Sequence, residues 1–354
     1  MVLTILLFAC NKEKQLKGNT INPLENKIDQ YISEVSEEFG IVGIGTAVIK
    51  DGKIIHKKYY GKANLAYNIS FSDSTFFQLF STTKIFSSVA IHKLIEEGKL
   101  NLEDEISIYL DDLPQAWRNI KVENLLSHSS GLPDMRFYDK DSLQVAKSKI
   151  YKDSIQFSLG KKWDYNQTNF WLLDRILEKL KGKKFAEFIK ETQFKNFESS
   201  TIFNGNFSHI IKNRATNYLD YPKQGILRES NYIVPRYLYG ASGQNITLDG
   251  FIEWNRKFEN NELVNQDSKS KIFKQFDYEE QMDFGHGWGI VKLNNELSYG
   301  FTGGKSTGYR IFPSKNMSII FLTNGSKRGM SIDKRINRIA EIVDSEFSKG
   351  VEKN

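Results

Sequence analysis

The residues whose chemistry stands out in this sequence are Ser81 and Lys84, which form a Ser-x-x-Lys pattern inside an apolar stretch. The pattern recurs at Ser158, Ser268 and Ser331, but those copies lie among polar residues, as surface residues usually do. Residues three apart on a helix share a face, so the amine can reach the hydroxyl. Burial favours the neutral amine, which makes such a lysine a candidate general base. The pair therefore predicts a serine nucleophile activated by an amine.

The segment around this pair predicts a helix that opens at Ser81 and ends near Gly98. A helix N-terminus offers unpaired backbone N–H groups and the positive end of the helix dipole. Both would stabilise negative charge that develops on a substrate oxygen beside the serine. The predicted element thus supplies the nucleophile, the base and part of an oxyanion site.

Other catalytic chemistries lack a signature. The 354 residues are 40% apolar and 26% charged, which is typical of a soluble globular chain. A Walker loop and a Gly-x-Gly-x-x-Gly loop are absent. Five histidines show no metal-ligand spacing, so we expect neither a metal nor a cofactor. The net charge of +6 comes from scattered basic residues, so we expect no nucleic-acid partner.

The elements that must position the pair are strands at both ends of the chain and helices between them. Residues 42–60 predict a hairpin around Asp51-Gly52, and further strands are predicted at 288–293, 297–301, 309–312 and 317–323, followed by a helix. This pattern predicts an α+β fold in one module at 25–348. We expect a sheet lobe at about 25–80 and 285–348 and a mainly helical lobe at about 81–284.

The N-terminus suggests processing. Residues 1–10 are apolar and end at Cys10, after which residues 11–24 read as a polar tether. The segment resembles a bacterial lipoprotein signal, which implies a lipid on Cys10, a membrane anchor and a catalytic module in the cell envelope outside the cytoplasm. A buried free thiol is the alternative. Cys10 is the only cysteine, so no intramolecular disulfide can form.

Several blocks together resemble the serine β-lactamase and penicillin-binding-protein-like hydrolases, particularly the class C β-lactamase, D-aminopeptidase and esterase branch. The blocks, in chain order, are Thr75–Lys84, Leu94–Leu100, Leu125–Pro133, Tyr165–Leu173, Gly300–Gly304 and Leu322–Asn324. The likeness runs from about residue 43 to residue 324. It implies a β-lactamase/transpeptidase-like fold, with an antiparallel sheet flanked by terminal helices and an inserted helical lobe.

The resemblance also implies roles for individual residues. Ser81 would be acylated and Lys84 would take its proton. Tyr165 would pass protons to the leaving group, although a buried core tyrosine is an alternative. The strand at residues 301–304 would line the cleft through Phe301, Thr302 and Gly303, and the N–H of Gly304 would join that of Ser81 as the oxyanion hole.

Two departures from the family pattern bear on the substrate. Gln167 stands where relatives carry asparagine, so its reach to a substrate amide differs. Phe301 stands where relatives carry lysine or histidine, so a cation or polar ring is missing. An anionic β-lactam or D-Ala-D-Ala end would lose a charge-assisted hydrogen bond, typically worth about 1.5–3 kcal/mol. Lys305 could replace that charge, but we expect its side chain to be solvated.

The sequence therefore predicts a serine hydrolase that acts through an acyl-enzyme on small esters or amides, possibly D-amino-acid peptides. A β-lactamase or D,D-carboxypeptidase is one alternative, and a non-catalytic binding protein that keeps the fold is another. His128 precedes Ser129 and Ser130 without an evident acidic partner. We expect a structural role for it rather than a Ser-His pair.

Overall fold

The computed structural model describes residues 22–221, 226–280, 282–326 and 329–348. Cys10, the predicted signal and most of the predicted tether lie outside the described residues, so these stay predictions. No helix in the described part of the chain is long and apolar enough to span a bilayer. The first helix begins at Pro23, where the side chain of Asn22 accepts the N–H of Leu24.

The strands and helices are numbered separately in chain order. The strands are β1 (Gly43–Lys50), β2 (Lys53–Asn64), β3 (Ile69–Ser70), β4 (Phe76–Gln78), β5 (Thr201–Phe203), β6 (Tyr218–Tyr221), β7 (Ile226–Glu229), β8 (Gln244–Thr247), β9 (Gly289–Leu293), β10 (Glu296–Gly303), β11 (Thr307–Phe312), β12 (Met317–Thr323) and β13 (Gly325–Ser326). The helices are α1 (Pro23–Phe39), α2 (Lys84–Glu96), α3 (Val122–Leu126), α4 (Leu143–Ile150), α5 (Gln167–Lys181), α6 (Phe185–Gln193), α7 (Tyr239–Ser242), α8 (Leu248–Glu259), α9 (Gln266–Phe273) and α10 (Ile332–Val343).

The main sheet joins the two ends of the chain, as the sequence predicts. Its order is β3-β2-β1-β12-β11-β10-β9, and its neighbours are antiparallel. β1 pairs with β12 so that Ala47 lies opposite Ile320. The Asp51-Gly52 turn has φ values of 51° and 72°, which suit the tight hairpin between β1 and β2. Two three-stranded sheets, β13-β6-β7 and β4-β8-β5, complete the described strands.

Helices cover both faces of the main sheet. α1 and α10 pack on one face, where Ile28, Ile32, Ile336 and Ile339 are fully buried. The other face meets α8 and the helical lobe. Burial on both sides explains why β1 is an almost continuous apolar run rather than an alternating one. The architecture is α+β, as predicted from the strands at the two chain ends.

The helical lobe surrounds α2, which contacts α5, α6, α7 and α9. One boundary prediction is wrong: Ser81 does not open the α-helix, because it lies in a short 3₁₀ turn, Phe80–Thr83, and α2 begins at Lys84. The helical spacing of Phe170, Leu173 and Ile176 in the sequence predicts a helix that stops at Gly182, and this stop is confirmed, since the glycine closes α5 with a φ of 62°. The turn before α2, the start of α5 and the end of β10 together position the candidate site.

Candidate active site

Ser81 and Tyr165 meet where the turn before α2 approaches the segment leading into α5. The Tyr165 hydroxyl donates a hydrogen bond to Ser81 Oγ over 2.7 Å. Both side chains are half-buried, so a substrate can still reach the serine. The two residues are 84 positions apart in the chain, and the fold brings their hydroxyls into direct contact. The pairing matches the positions that the resemblance predicts for nucleophile and proton shuttle.

Lys84 is fully buried behind this pair. Its Nζ donates to Gln167 Oε1 over 2.8 Å and to the backbone oxygen of Ala241 over 2.9 Å. Burial lowers the pKa of Lys84 below its usual value, and the neighbouring Tyr165 opposes that shift. Nζ lies 4.8 Å from the centre of the Tyr165 ring. The sequence predicts a direct contact between Lys84 and Ser81. In this conformation Ser81 Oγ is instead hydrogen-bonded to the Tyr165 hydroxyl.

The two amides after Tyr165 have different tasks. Asn166 caps α5, accepting the N–H of Thr168 over 2.7 Å while its amide nitrogen donates to the backbone oxygen of Leu132. It therefore belongs to the scaffold. The side chain of Gln167 makes one hydrogen bond with the described residues, in which its Oε1 accepts from Lys84 Nζ. Its Nε2 donates to no residue in the described part of the chain, so it is free to bond a substrate amide or ester oxygen.

Gly303 and Gly304 lie against the turn that carries Ser81. A Cβ on Gly303 would lie 2.1 Å from the oxygen of Leu79 and 2.9 Å from the nitrogen of Ser81, so only glycine fits. Among the described residues, neither the N–H of Ser81 nor that of Gly304 donates a backbone hydrogen bond. Both N–H groups are therefore available to a substrate oxygen, and their role as an oxyanion hole stays a prediction.

Two residues that the sequence analysis missed shape this turn. Phe80 adopts a φ of 49°, a left-handed conformation that is uncommon for a bulky residue. Such strain is typical of functional turns, and here it occurs at the residue directly before Ser81. Thr307 Oγ1 on β11 donates to the backbone oxygen of Leu79 over 2.8 Å, which ties the turn to the sheet. Neither the left-handed backbone of Phe80 nor the hydrogen bond of Thr307 has a local sequence signal, because both depend on tertiary packing.

Phe301 contributes an aromatic wall in place of a cation. Its ring centre lies 6.2 Å from that of Tyr165 and 5.9 Å from that of Phe284. Trp163 extends the wall, at 6.2 Å from Tyr165. Lys305 is exposed in the turn after β10, as expected, and makes no ion pair with a described residue. The half-buried Thr302, next to Phe301 on β10, pairs with Gly308 on β11.

His128 is a buried scaffold residue. Its Nδ1 lies 3.2 Å from the N–H of Asn166 and 2.9 Å from the amide nitrogen of Asn169. Both neighbours are donors, so the ring accepts at Nδ1. Burial and the nearby Lys84 lower the pKa of His128 well below its usual value. The imidazole is therefore neutral and orients the start of α5, rather than forming a pair with Ser129 or Ser130.

A second buried group supports Lys84 from behind. Asp174, on α5, accepts the N–H of Gly240 at Oδ2 over 3.0 Å, and Ser87 donates to the oxygen of Gly240 over 2.7 Å. These bonds fix the segment whose next residue, Ala241, accepts from Lys84. Burial raises the pKa of Asp174 well above its usual value. An aspartate among the apolar residues of α5 is the sequence signal that would have found it.

Comparison with known proteins agrees with this geometry. The profile of the Beta-lactamase family matches residues 28–344, so the chain belongs to the β-lactamase family. Penicillin-binding protein 4* of Bacillus subtilis (strain 168) is 27% identical over 270 residues. That match covers 69% of this chain and 59% of the relative, so the chain matches little more than half of that protein.

Solved structures share the fold at lower identity. A D-amino acid amidase from Ochrobactrum anthropi SV3, complexed with D-phenylalanine, superposes with a TM-score of 0.78 at 18% identity, covering 92% of this chain and 100% of the amidase. EstCE1, a hydrolase with promiscuous acyltransferase activity, gives a TM-score of 0.76 at 18% identity, covering 90% and 98%. The predicted family and the β-lactamase/transpeptidase-like fold are confirmed.

Proposed function

We propose that this protein is a serine hydrolase that forms an acyl-enzyme on Ser81 with small esters or amides. The observation that carries the proposal is the contact of Ser81 Oγ with the Tyr165 hydroxyl, in front of a fully buried Lys84. A nucleophile, a proton carrier and an amine with a lowered pKa form one connected group. Membership of a family whose solved neighbours include an amidase and a hydrolase supports it.

The proposed proton route runs from Ser81 through Tyr165 to Lys84, because Tyr165 contacts Ser81 and lies beside the Lys84 amine. The neutral amine of Lys84 accepts the phenolic proton of Tyr165, and the phenolate then accepts the proton of Ser81 as Oγ attacks the substrate carbonyl carbon. The N–H groups of Ser81 and Gly304 stabilise the oxyanion. When the bond to the leaving group breaks, Tyr165 gives its proton to the leaving oxygen or nitrogen and takes back the proton held by the Lys84 ammonium. Water releases the acyl group by the reverse sequence, which restores the Ser81 hydroxyl.

The aromatic wall around Phe301 favours substrates without a carboxylate at that end. Phenylalanine cannot form the charge-assisted hydrogen bond that an anionic β-lactam or D-Ala-D-Ala end would need. Lys305 is exposed and has no described contact with the site. An ester or amide without a carboxylate at that end, including a D-amino-acid amide, makes no such hydrogen bond and so loses no binding energy when phenylalanine replaces the cation. β-Lactamase or D,D-carboxypeptidase activity is therefore the second candidate, and labelling with fluorescent penicillin tests for it.

The deciding experiment compares wild type with Ser81→Ala on p-nitrophenyl butyrate. We expect the variant to lose at least about a thousandfold in kcat/KM, because the nucleophile is gone. Mass spectrometry of quenched wild type should locate the butyryl group on the peptide containing Ser81. Ser158→Ala is the matched control, since Ser158 belongs to another Ser-x-x-Lys pattern. Equal rates for wild type and Ser81→Ala would instead support a non-catalytic binding protein.

We also propose that Cys10 carries a lipid that anchors the protein in the bacterial cell envelope, outside the cytoplasm. The support is the apolar leader that ends at Cys10 and the polar stretch that follows. Metabolic labelling with an alkyne-bearing palmitate in a bacterial host should tag the wild-type chain and not Cys10→Ser. Labelling of both chains, or of neither, would contradict the anchor.

A further inference from the structure

A cavity of about 390 Å³ opens beside Tyr165, and its lining does not include Phe301. Its lining includes Tyr165 itself, Asp134, Arg136 and Asp164. The volume lies within the range of small-molecule sites. Tyr165 lines this cavity and its hydroxyl contacts Ser81, so the cavity lies next to the candidate active site.

Asp134 forms the buried part of the cavity wall. Its side chain is only 8% exposed. Oδ1 accepts the N–H of Arg136 over 2.9 Å and that of Gln167 over 3.1 Å. Oδ2 is buried and accepts no hydrogen bond, with the half-exposed guanidinium of Arg136 3.4 Å away. Oδ2 therefore has an ion pair with Arg136 but no hydrogen-bond donor, and a ligand that carries an N–H group can supply that donor.

Asp164 and Asp153 add negative charge to the same cavity. Asp164 is exposed, and its carboxylate has no hydrogen bond or ion pair with any residue that the structure describes. Burial of part of the side chain and the neighbouring Asp134 raise its pKa above the usual value. Asp153 also lines the cavity and accepts from a tyrosine hydroxyl. Three carboxylates therefore face one cation, Arg136, in a chain whose net charge is +6.

We propose that this cavity is a subsite for a positively charged group on the acyl part of the substrate, with Asp134 and Asp164 as its recognition residues. The inference rests on the proposed hydrolase function and narrows its substrates to amine-bearing esters or amides. An ammonium group would supply the donor that Asp134 Oδ2 lacks, and its charge would complement the excess of carboxylates. Phe301, whose ring also packs near Tyr165, offers no competing counter-charge.

The test uses p-nitrophenyl esters of three trans-cyclohexanecarboxylic acids that carry an aminomethyl, a methyl or a carboxylate group at position 4, because the trans ring keeps the charged group from attacking the ester carbonyl. Wild type should prefer the cationic ester over the anionic ester by about tenfold or more in kcat/KM, and added salt should reduce this preference. Asp164→Asn should lower the cationic-to-neutral ratio by about threefold to tenfold, and Arg136→Gln should raise it. Comparing ratios between proteins cancels the intrinsic reactivity of each ester.

Asp111→Asn serves as the control, because it removes one negative charge at a highly exposed position outside the cavity. Its three rates should match those of wild type. A cationic-to-neutral ratio that is unchanged in both Asp164→Asn and Arg136→Gln would overturn the subsite while leaving the hydrolase function intact. Failure of wild type to hydrolyse any of the three esters, with no acyl group on Ser81, would instead overturn the hydrolase function and the subsite with it.

Discussion

Replacing Tyr165 with phenylalanine removes one oxygen atom from the centre of the proposed proton route. The phenol is the hydrogen-bond partner of Ser81 Oγ, at 2.7 Å. Lys84 keeps its bonds to Gln167 and Ala241, so the buried amine stays in place. A positioned acid–base group contributes about 10²–10⁴-fold to rate, which corresponds to about 3–5 kcal/mol of transition-state stabilisation. The folded state loses one hydrogen bond, worth about 1 kcal/mol.

The assay measures kcat and KM on p-nitrophenyl butyrate, together with the free energy of unfolding in urea. We expect kcat to fall by at least about a hundredfold in Tyr165→Phe while KM changes little, because the phenol acts on the proton rather than on substrate binding. Tyr67→Phe is the control, since this tyrosine is 80% exposed and lies on the surface. A Tyr165→Phe enzyme within about threefold of wild type would refute the relay and make Lys84 the direct base for Ser81.

Four further outcomes follow from the same contacts. Burial lowers the pKa of Lys84, so the neutral amine becomes populated as pH rises and kcat/KM should increase with pH through that lowered pKa. A kcat/KM that falls across this pH range would contradict Lys84 as the general base. Burial raises the pKa of Asp174, so the contribution of this residue to folding stability is fully present below the usual value of 3.8 and is lost as pH rises through the raised value. Urea titrations should show wild type losing free energy of unfolding relative to Asp174→Asn by up to about 1.4 kcal/mol per pH unit. Gly303→Ala would place a Cβ 2.1 Å from the backbone oxygen of Leu79, and the displacement of β10 from Ser81 should cost about a hundredfold in kcat while circular dichroism still reports a folded protein. Phe301→His should raise acylation by penicillin or D-Ala-D-Ala peptides by about tenfold relative to neutral esters, and equal changes for both classes would count against the aromatic wall as a specificity element.

The chemistry of the site was more predictable than its geometry. Ser81 and Lys84 could be selected from the sequence because an apolar setting for a Ser-x-x-Lys pattern is a local property. Tyr165 and Gly304 could be placed only through resemblance to a family, since nothing local distinguishes them from other tyrosines and glycines. Tyr165 reaches Ser81, and Gly304 reaches the neighbouring Phe80, only because distant segments of the chain pack together, and hydrophobic periodicity does not predict such packing.

The fold was predicted best where one rule governs a whole segment. The Asp51-Gly52 hairpin and the α5 stop at Gly182 follow from the backbone freedom of glycine. The start of α2 was predicted three residues early, because the left-handed backbone at Phe80 follows from tertiary contacts rather than from helix propensity. The sequence could not predict that Asp134 Oδ2 accepts no hydrogen bond or that Asp174 holds Gly240, because both depend on which groups meet in the folded structure.

The pairing of β1 with β12 has a consequence for how the polypeptide matures. β1 is synthesised long before β12, the strand that covers its free edge, since the hydrogen-bonded residues Thr46 and Ile320 are 274 positions apart. Until β12 has emerged, the hairpin of β1 and β2 presents unpaired backbone groups and apolar side chains to other molecules. Folding of the sheet is therefore a late, long-range event, and fragments that stop before residue 317 should aggregate rather than fold.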